Sequence, residues 1–521
     1  MDPSSSNGFD YDVVVIGGAF SGAASALLLK RDRPETRVLV VEKQAEFDEK
    51  VGEATTEMSG MFLTRRLALW NHLEREHLPK EGLRYWFDNA KVTSHSSASE
   101  AGGRVRSPVP SFQLRRDVLD EHLLELAAAE GAEIMRPARV VDVELGSFDH
   151  RVSIEIDGER RDLRARWIID ATGRTSWLGR KLGLLERNDE HPIASTWARW
   201  RGVRHIDDIA ARGPLEFAGR NVGSRRLSTN HYMGFGHWVW VIPLGNGETS
   251  IGIVFDRTLV DLHESRDRSG AYESFIRSKP ALAELLEGAE MRRDDLRSFS
   301  DLAYRTRQYM GEGWGLVGDA AVFIDPYYSP GLDHACFSVE ATGEIVRNQL
   351  DGQPVDERIA EHNETFLRSH DRFFESVYRD KYKFMDELDL VSASFLIETG
   401  QYYIFVVIPA YTIHGRFHWM PVLGPKPAFI SYHMMRIANR RFQKIAMLRR
   451  EMGEEGRRNE GRRVNAYFDL RFAPFRMVTK GLWFWLKAEL DAVRLSAKRL
   501  FSGAPPEDRD AKEALSRRSQ L

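Results

Sequence analysis

A short apolar strand that breaks into a glycine-rich turn and re-enters a helix is compatible with few folds. Here Tyr11-Asp-Val-Val-Val-Ile16 is rich in β-branched residues and runs into Gly17-Gly18-Ala19-Phe20-Ser21-Gly22, after which Ala23 to Lys30 has helical character. A second apolar run, Arg37-Val-Leu-Val-Val41, ends in Glu42, twenty residues beyond Gly22. This spacing predicts a βαβ unit of the length that binds a dinucleotide. In such a unit the glycines let backbone approach a pyrophosphate, and the helix N-terminus directs free N–H groups and its positive dipole end at that charge. Glu42 is expected to accept the ribose hydroxyls, with Phe20, Ser21 and Lys43 beside the cofactor. The pattern reads Gly17-x-Ala19-x-x-Gly22, so Ala19 stands where a glycine is usual and adds one methyl near the phosphates.

Composition narrows the class. The 521 residues carry 74 Lys+Arg against 77 Asp+Glu, a formal charge of −3, and 42% are hydrophobic. That is enough apolar surface for a large core, and the charge leaves no nucleic-acid footprint. The single cysteine, Cys336, excludes an intrachain disulfide and a multi-cysteine metal cluster, and agrees with a reducing compartment, the cytosol by default. His231, His237 and His334 lack metal-ligand spacing, so no metal is expected. The polar, acidic start from Met1 to Asp10 does not read as a signal peptide. The apolar run Tyr402 to Tyr411 contains Pro409 and reaches only about half of the ~20 residues of a spanning helix, so no transmembrane helix is expected.

Along the chain, Arg116 to Glu130 has helical periodicity, and Val140 to Ile156 alternates before Trp167-Ile-Ile-Asp170. These parts belong with the first strands in a cofactor-binding module over 9–183. From 184 to 300 alternation and glycine turns predict a β-rich substrate module. Residues 301–350 return to the first module, 351–503 read as a helical module, and 504–521, with Pro505 and Pro506, as a disordered tail.

Two later motifs identify the cofactor. Asp170-Ala-Thr-Gly173 and Gly318-Asp319-Ala-Ala321, each after a strand, resemble those of the glutathione-reductase-type flavoproteins of the aromatic hydroxylase group. The resemblance implies FAD and an α/β fold: an FAD-binding βαβ sheet, a second β-sheet substrate module and a helical C-terminal extension. It implies that Asp170 and Gly318 join the cofactor site, that Asp319 lies against the ribityl chain, and that Arg116 contacts the flavin.

Over most of residues 9 to 350 the chain also resembles a narrower family, the flavin-dependent halogenases, including those acting on tryptophan. Trp238-Val-Trp240-Val-Ile242-Pro243 matches their W-x-W-x-I-P signature, Gly52-Glu53-Ala54-Thr55 their G-E-[AS] segment, and the stretch from Tyr304 to Gly331 their long glycine and aspartate pattern. The resemblance implies that reduced FAD and O2 oxidise halide to hypohalous acid. A buried lysine then holds the hypohalous acid and directs it at an electron-rich ring. Lys80 is the lysine, Trp238 and Trp240 keep substrate off the flavin, Glu53 and Ala54 lie at the cofactor, and Ser329-Pro330-Gly331 is the turn that holds halide.

Two positions depart from the family. Pro330 has no N–H, so one halide donor is missing and halide binding is expected to be weak or absent. Tyr328 stands where tryptophan-acting members carry glutamate, and a phenol supplies no fixed negative charge at neutral pH. Phenols, pyrroles or polyketide-like rings, free or tethered to a carrier protein, are therefore expected in place of free tryptophan. A separate flavin reductase is implied as partner. The aromatic, basic stretch from Lys480 to Phe501 suggests peripheral membrane or carrier-protein contact. Two alternatives remain open: a halide-independent FAD monooxygenase or dehydrogenase, and a non-catalytic flavin-binding or membrane-docking protein.

Overall fold

The computed structural model describes residues 8–89, 91–103, 109–219, 223–260, 262, 267–412, 421–465 and 473–502. The tail expected to be disordered and the first residues of the N-terminus lie outside this range. The fold is α/β, with two principal sheets and a helical C-terminal region.

The first sheet is built on Tyr11–Ile16, whose last four residues are buried on both faces, as a central parallel strand requires. It pairs in parallel with Val38–Val41 on one side and Glu159–Asp170 on the other, and the latter pairs in parallel with Trp314–Leu316. The register sets Ile16 opposite both Val41 and Asp170, and Asp170 opposite Leu316. All four strands thus end at one edge. The Gly17 turn, Glu42, the turn after Asp170 and Gly318-Asp319 are brought together there, at the carboxyl ends where open α/β sheets bind ligands.

The second sheet is wider than the 184–300 stretch. Its order runs Glu290–Met291, Ile193–Arg201, Thr249–Asp256, His237–Pro243, Thr229–Gly234, Leu83–Phe87, Ser99–Gly102 and Arg463–Asn465. It therefore recruits two strands from the first third of the chain and one from the last. His237–Pro243 is a central strand, and its tryptophans alternate onto one face.

The C-terminal region packs the Leu388–Tyr402 helix against Phe429–Glu451 and Ala473–Ser502. Fully buried Arg449 joins all three, donating to Glu387 at 2.7 Å, to both oxygens of Asp389 at 2.8 and 2.9 Å, and to Asp491 at 3.3 Å. The run expected as Tyr402 to Tyr411 needs correction: the helical segment is continuous from Leu388 to Thr412, and its 25 residues are long and apolar enough to cross a membrane. About two-thirds of its apolar window is buried inside the protein, so it serves here as a core helix. The Ala473–Ser502 helix buries Met477, Ala488, Ala492 and Leu495 and exposes a stripe of Phe475, Trp483, Leu486, Leu490 and Val493.

Candidate active site

A cavity of about 1050 Å³ runs from the edge of the first sheet to the helical region. It exceeds the roughly 300–1,000 Å³ of a pocket for one drug-sized molecule, enough for a cofactor and a second ligand.

The sheet end fits FAD. Gly17 has φ +94°, and a Cβ there would lie 2.8 Å from the Ala171 carbonyl oxygen; a Cβ on Gly22 would lie 1.8 Å from the Gly17 carbonyl oxygen. Gly22 does not face the cavity, and its lack of a side chain is what lets the helix close on the turn. The Phe20–Asp32 helix begins at Ala19 with no side-chain cap, leaving its first N–H groups for a pyrophosphate. The Glu42 carboxylate is fixed by the N–H groups of Gly18 (2.7 Å) and Gln44 (2.9 Å) and lines the cavity beside Lys43. Arg116 stacks 5.6 Å from the Phe20 ring centroid and pairs with Asp120, and it lines the cavity together with Asp319, Ala54 and Ser21. Replacing Gly22 by Val is expected to cost about 1–3 kcal/mol of stability through overpacking and to abolish FAD retention, read as bound flavin absorbance after desalting.

Two expected cofactor residues work from behind the cavity. The Asp170 carboxylate is filled by Thr172 N–H (2.9 Å), Thr172 O–H (2.7 Å) and Leu178 N–H (2.7 Å), so it shapes the turn and does not line the cavity. Gly318, at φ +57°, likewise does not line it; a Cβ there would meet Ser21 Oγ at 2.5 Å. Glu53 lines the cavity but is held by Arg199 at 2.8 Å, and burial, opposed by that arginine, raises its pKa to about 7.

Lys80 is buried in the same cavity, not solvated on a turn. Leu78–Pro79 pairs with Phe112–Gln113, and Lys80 N–H continues the ladder to Ser111 O at 2.8 Å, which turns the side chain inward. Its ammonium donates to Thr55 O at 2.6 Å. Burial lowers its pKa to about 8, against the opposing pull of Glu57 and Asp333. Burial, then the charge of Lys80, holds neighbouring His231 down at about 3, so the imidazole is neutral.

Trp238 and Trp240 both line the cavity, and both are pinned. Trp238 Nε1 donates to Tyr382 at 3.0 Å, which in turn donates to Asp325, and Trp240 Nε1 donates to Ser250 at 3.1 Å. Gly252 makes room for the second indole, since a Cβ there would lie 2.2 Å from its ring.

Opposite them is the Tyr328-Ser329 turn, two consecutive residues with φ +76° and +58°. Such strain in non-glycine residues concentrates at functional sites. Pro330 is the first residue of a 21-residue helix, a position whose N–H has no intrahelical partner in any sequence. The unbonded N–H groups of that first turn therefore come from Gly331 and Leu332, both lining the cavity.

Sequence reading missed four side chains that the fold delivers here. Asp333, raised to about 6 by burial against hydrogen bonds from Thr56 and Ser59, lies near Lys80. His231 sits beside Trp238, with ring centroids 5.2 Å apart. Glu398 and Lys381 form a buried pair at 2.7 Å behind Tyr328. Asp333 and Glu398 were marked only by their polar character within apolar helical sequence, whereas His231 lies on a strand and Lys381 in a charged stretch, where nothing set them apart.

The model of the family described as FAD binding domain matches residues 10–363. Flavin-dependent halogenase chlA of Dictyostelium discoideum is 26% identical over 449 residues, covering 80% of this chain and 72% of that protein. The chain belongs to the flavin-dependent halogenase family of FAD-binding flavoproteins. A chlorinase of 1H-pyrrole-2-carbonyl-(peptidyl-carrier protein) from Pseudomonas fluorescens is 27% identical over 361 residues, 65% of this halogenase-family chain and 76% of that one. The crystal structure of halogenase PltM shares the fold, with TM-score 0.69 at 19% identity over 93% of this chain and 98% of that chain. This halogenase-family protein is an FAD-dependent oxidoreductase.

Proposed function

We propose that this protein halogenates an electron-rich aromatic small molecule, a phenol, pyrrole or polyketide-like ring, free or carrier-tethered. Its reactants would be halide, O2 and reduced FAD supplied by a separate reductase. The observation that carries this reading is Lys80: an ammonium buried in the cavity that also holds Glu42, Arg116 and the pinned tryptophans.

In this reading FAD is held by the Gly17 turn, the uncapped helix start, Glu42, Arg116 and Asp319, and supplies with O2 the two-electron oxidation of halide. Gly331 and Leu332 N–H groups offer the halide donors that Pro330 cannot. Lys80 spends one N–H on Thr55 O and has two more for hypohalite oxygen, which polarises the halogen toward the ring. Trp238 and Trp240, unable to turn without losing their Nε1 partners, bar the ring from the flavin. A cytoplasmic setting belongs to this proposal. So does a peripheral docking role for the Ala473–Ser502 helix, at a membrane or a carrier protein, supported by its exposed apolar stripe and by Lys487, Arg494 and Lys498.

The test supplies purified protein with FAD, a flavin reductase, NADH and O2, offers resorcinol and pyrrole as probe rings, and analyses products by mass. Mono- or dihalogenated product that requires bromide or chloride is expected. Pro330 favours a second reading, a halide-independent monooxygenase. Product carrying label from 18O2, formed equally without halide, would establish that reading and overturn the first.

A further inference from the structure

The Leu388–Tyr402 helix presents Glu398, Gln401 and Tyr402, at i, i+3 and i+4, to the cavity. Behind this face lies a polar cluster that no step above uses. Glu398 accepts four hydrogen bonds: from Ser394 Oγ (3.0 Å) and Asn439 Nδ2 on Oε1, and from Tyr328 OH (2.8 Å) and Lys381 Nζ (2.7 Å) on Oε2. A carboxylate has about four lone-pair sites, so Glu398 is full. Lys381 uses its three N–H groups on Glu398, Ser394 (2.9 Å) and Tyr328 OH (3.3 Å). Burying such a pair seldom adds stability relative to apolar residues of similar volume, so stability does not account for it.

The hydrogen-bond inventory of Tyr328 decides what the cluster presents. Its one proton goes to Glu398, because a carboxylate only accepts, and one lone pair takes Lys381. The second lone pair, within reach of the neighbouring Tyr327 hydroxyl, lies on a side chain that lines the cavity. On the adjoining helix Gln401 gives its amide N–H to Ile397 O, which fixes the amide orientation, and its buried Oε1 has no hydrogen-bond partner among the described residues. Both groups are acceptors, so the complementary ligand is a donor.

We propose that Tyr328, its proton held by Glu398 and its ring braced by Lys381, selects substrates carrying a phenolic hydroxyl by accepting that hydroxyl's hydrogen bond. The contact orients the ring and leaves electron density on it for attack on an electrophilic halogen. The inference narrows the halogenation reading to phenols and rests on it only for the ring being the substrate. Tyr328 is a positioning residue and does not touch the halogen.

The experiment measures binding to the FAD-loaded protein by 19F NMR, with 4-fluorophenol and 4-fluoroanisole as probes. The anisole keeps the ring and loses the donor. Wild type is expected to bind the phenol about 5- to 10-fold more tightly, the scale of one net hydrogen bond. Tyr328→Phe should bring the phenol down to the anisole's affinity, with FAD content and anisole binding unchanged. Glu398→Gln, which frees the tyrosine proton to turn toward the cavity, should also shrink the preference. Equal binding of the two probes by wild type, a preference that survives in Tyr328→Phe, or no binding of either probe would overturn the proposal. Because the readout is binding, discrimination that persists while products lack halogen would sink the halogenation reading and leave this inference standing.

Discussion

Lys80→Ala is expected to lower halogenated product by about 10²–10⁴-fold, the range of a positioned proton-donating group, while FAD remains bound. The lysine makes one protein hydrogen bond, to a carbonyl, and no described ion pair closer than the through-space influence of Glu57 and Asp333. Its burial is therefore poorly compensated. The unfolded chain holds the Lys80 proton with the ordinary value of 10.5 and the folded chain with about 8, a penalty on folding of about 3 kcal/mol at every pH below 8. That penalty shrinks to nothing as pH rises from 8 to 10.5. Lys80→Met, which keeps volume and removes the charge, should accordingly unfold at higher temperature than wild type at pH 7 while making no product. A lower melting temperature with unchanged turnover would reduce Lys80 to a packing residue. The pH profile adds a sign: if the ammonium directs the hypohalite, turnover falls as pH rises through about 8, whereas a rising limb there assigns the neutral amine.

Arg449→Ala is expected to destabilise the protein by about 3–5 kcal/mol, the cost of leaving buried carboxylates without their partner. Glu387 and Asp389 at the start of the Leu388–Tyr402 helix, and Asp491 on the last helix, all depend on this guanidinium. Burial, opposed by Arg449, already raises Glu387 to about 7. Urea denaturation at pH 7 measures the loss directly. The loss should grow as pH rises above 7, because without Arg449 the Glu387 carboxyl titrates higher still and its charge, once formed, has no partner. An unfolding free energy within about 0.5 kcal/mol of wild type would show that these helices hold together by apolar packing alone.

The cofactor end of this protein was legible because its determinants are local. Strand, turn, helix and acid fall within Tyr11 to Glu42, and the steric demand on Gly17 and Gly22 arises from chain close in sequence or directly paired to it. The tryptophan pair was legible for the same reason: residues two apart on one strand share a face whatever the strand pairs with. Asp170 was placed in the right turn, but its role was not readable, because only the folded turn shows its oxygens taken by Thr172 and Leu178.

Past that point the sequence alone determined elements but not their partners. The aromatic run of Leu83–Phe87 and the short Arg463–Asn465 could announce strands, yet pairing both into the sheet of Trp238 joins segments far apart in the chain, which no local period encodes. The length of the Leu388–Thr412 helix hid behind polar residues such as Glu398 and Gln401, which resemble surface positions until the cavity they face is known. The inward turn of Lys80 rests on two hydrogen bonds with Ser111, and the acceptor face at Tyr328 on a carboxylate 70 positions further along. Cofactor chemistry was thus written in short-range pattern. The substrate end was decided by tertiary structure, because a buried charge gains its meaning only from the groups that fold around it.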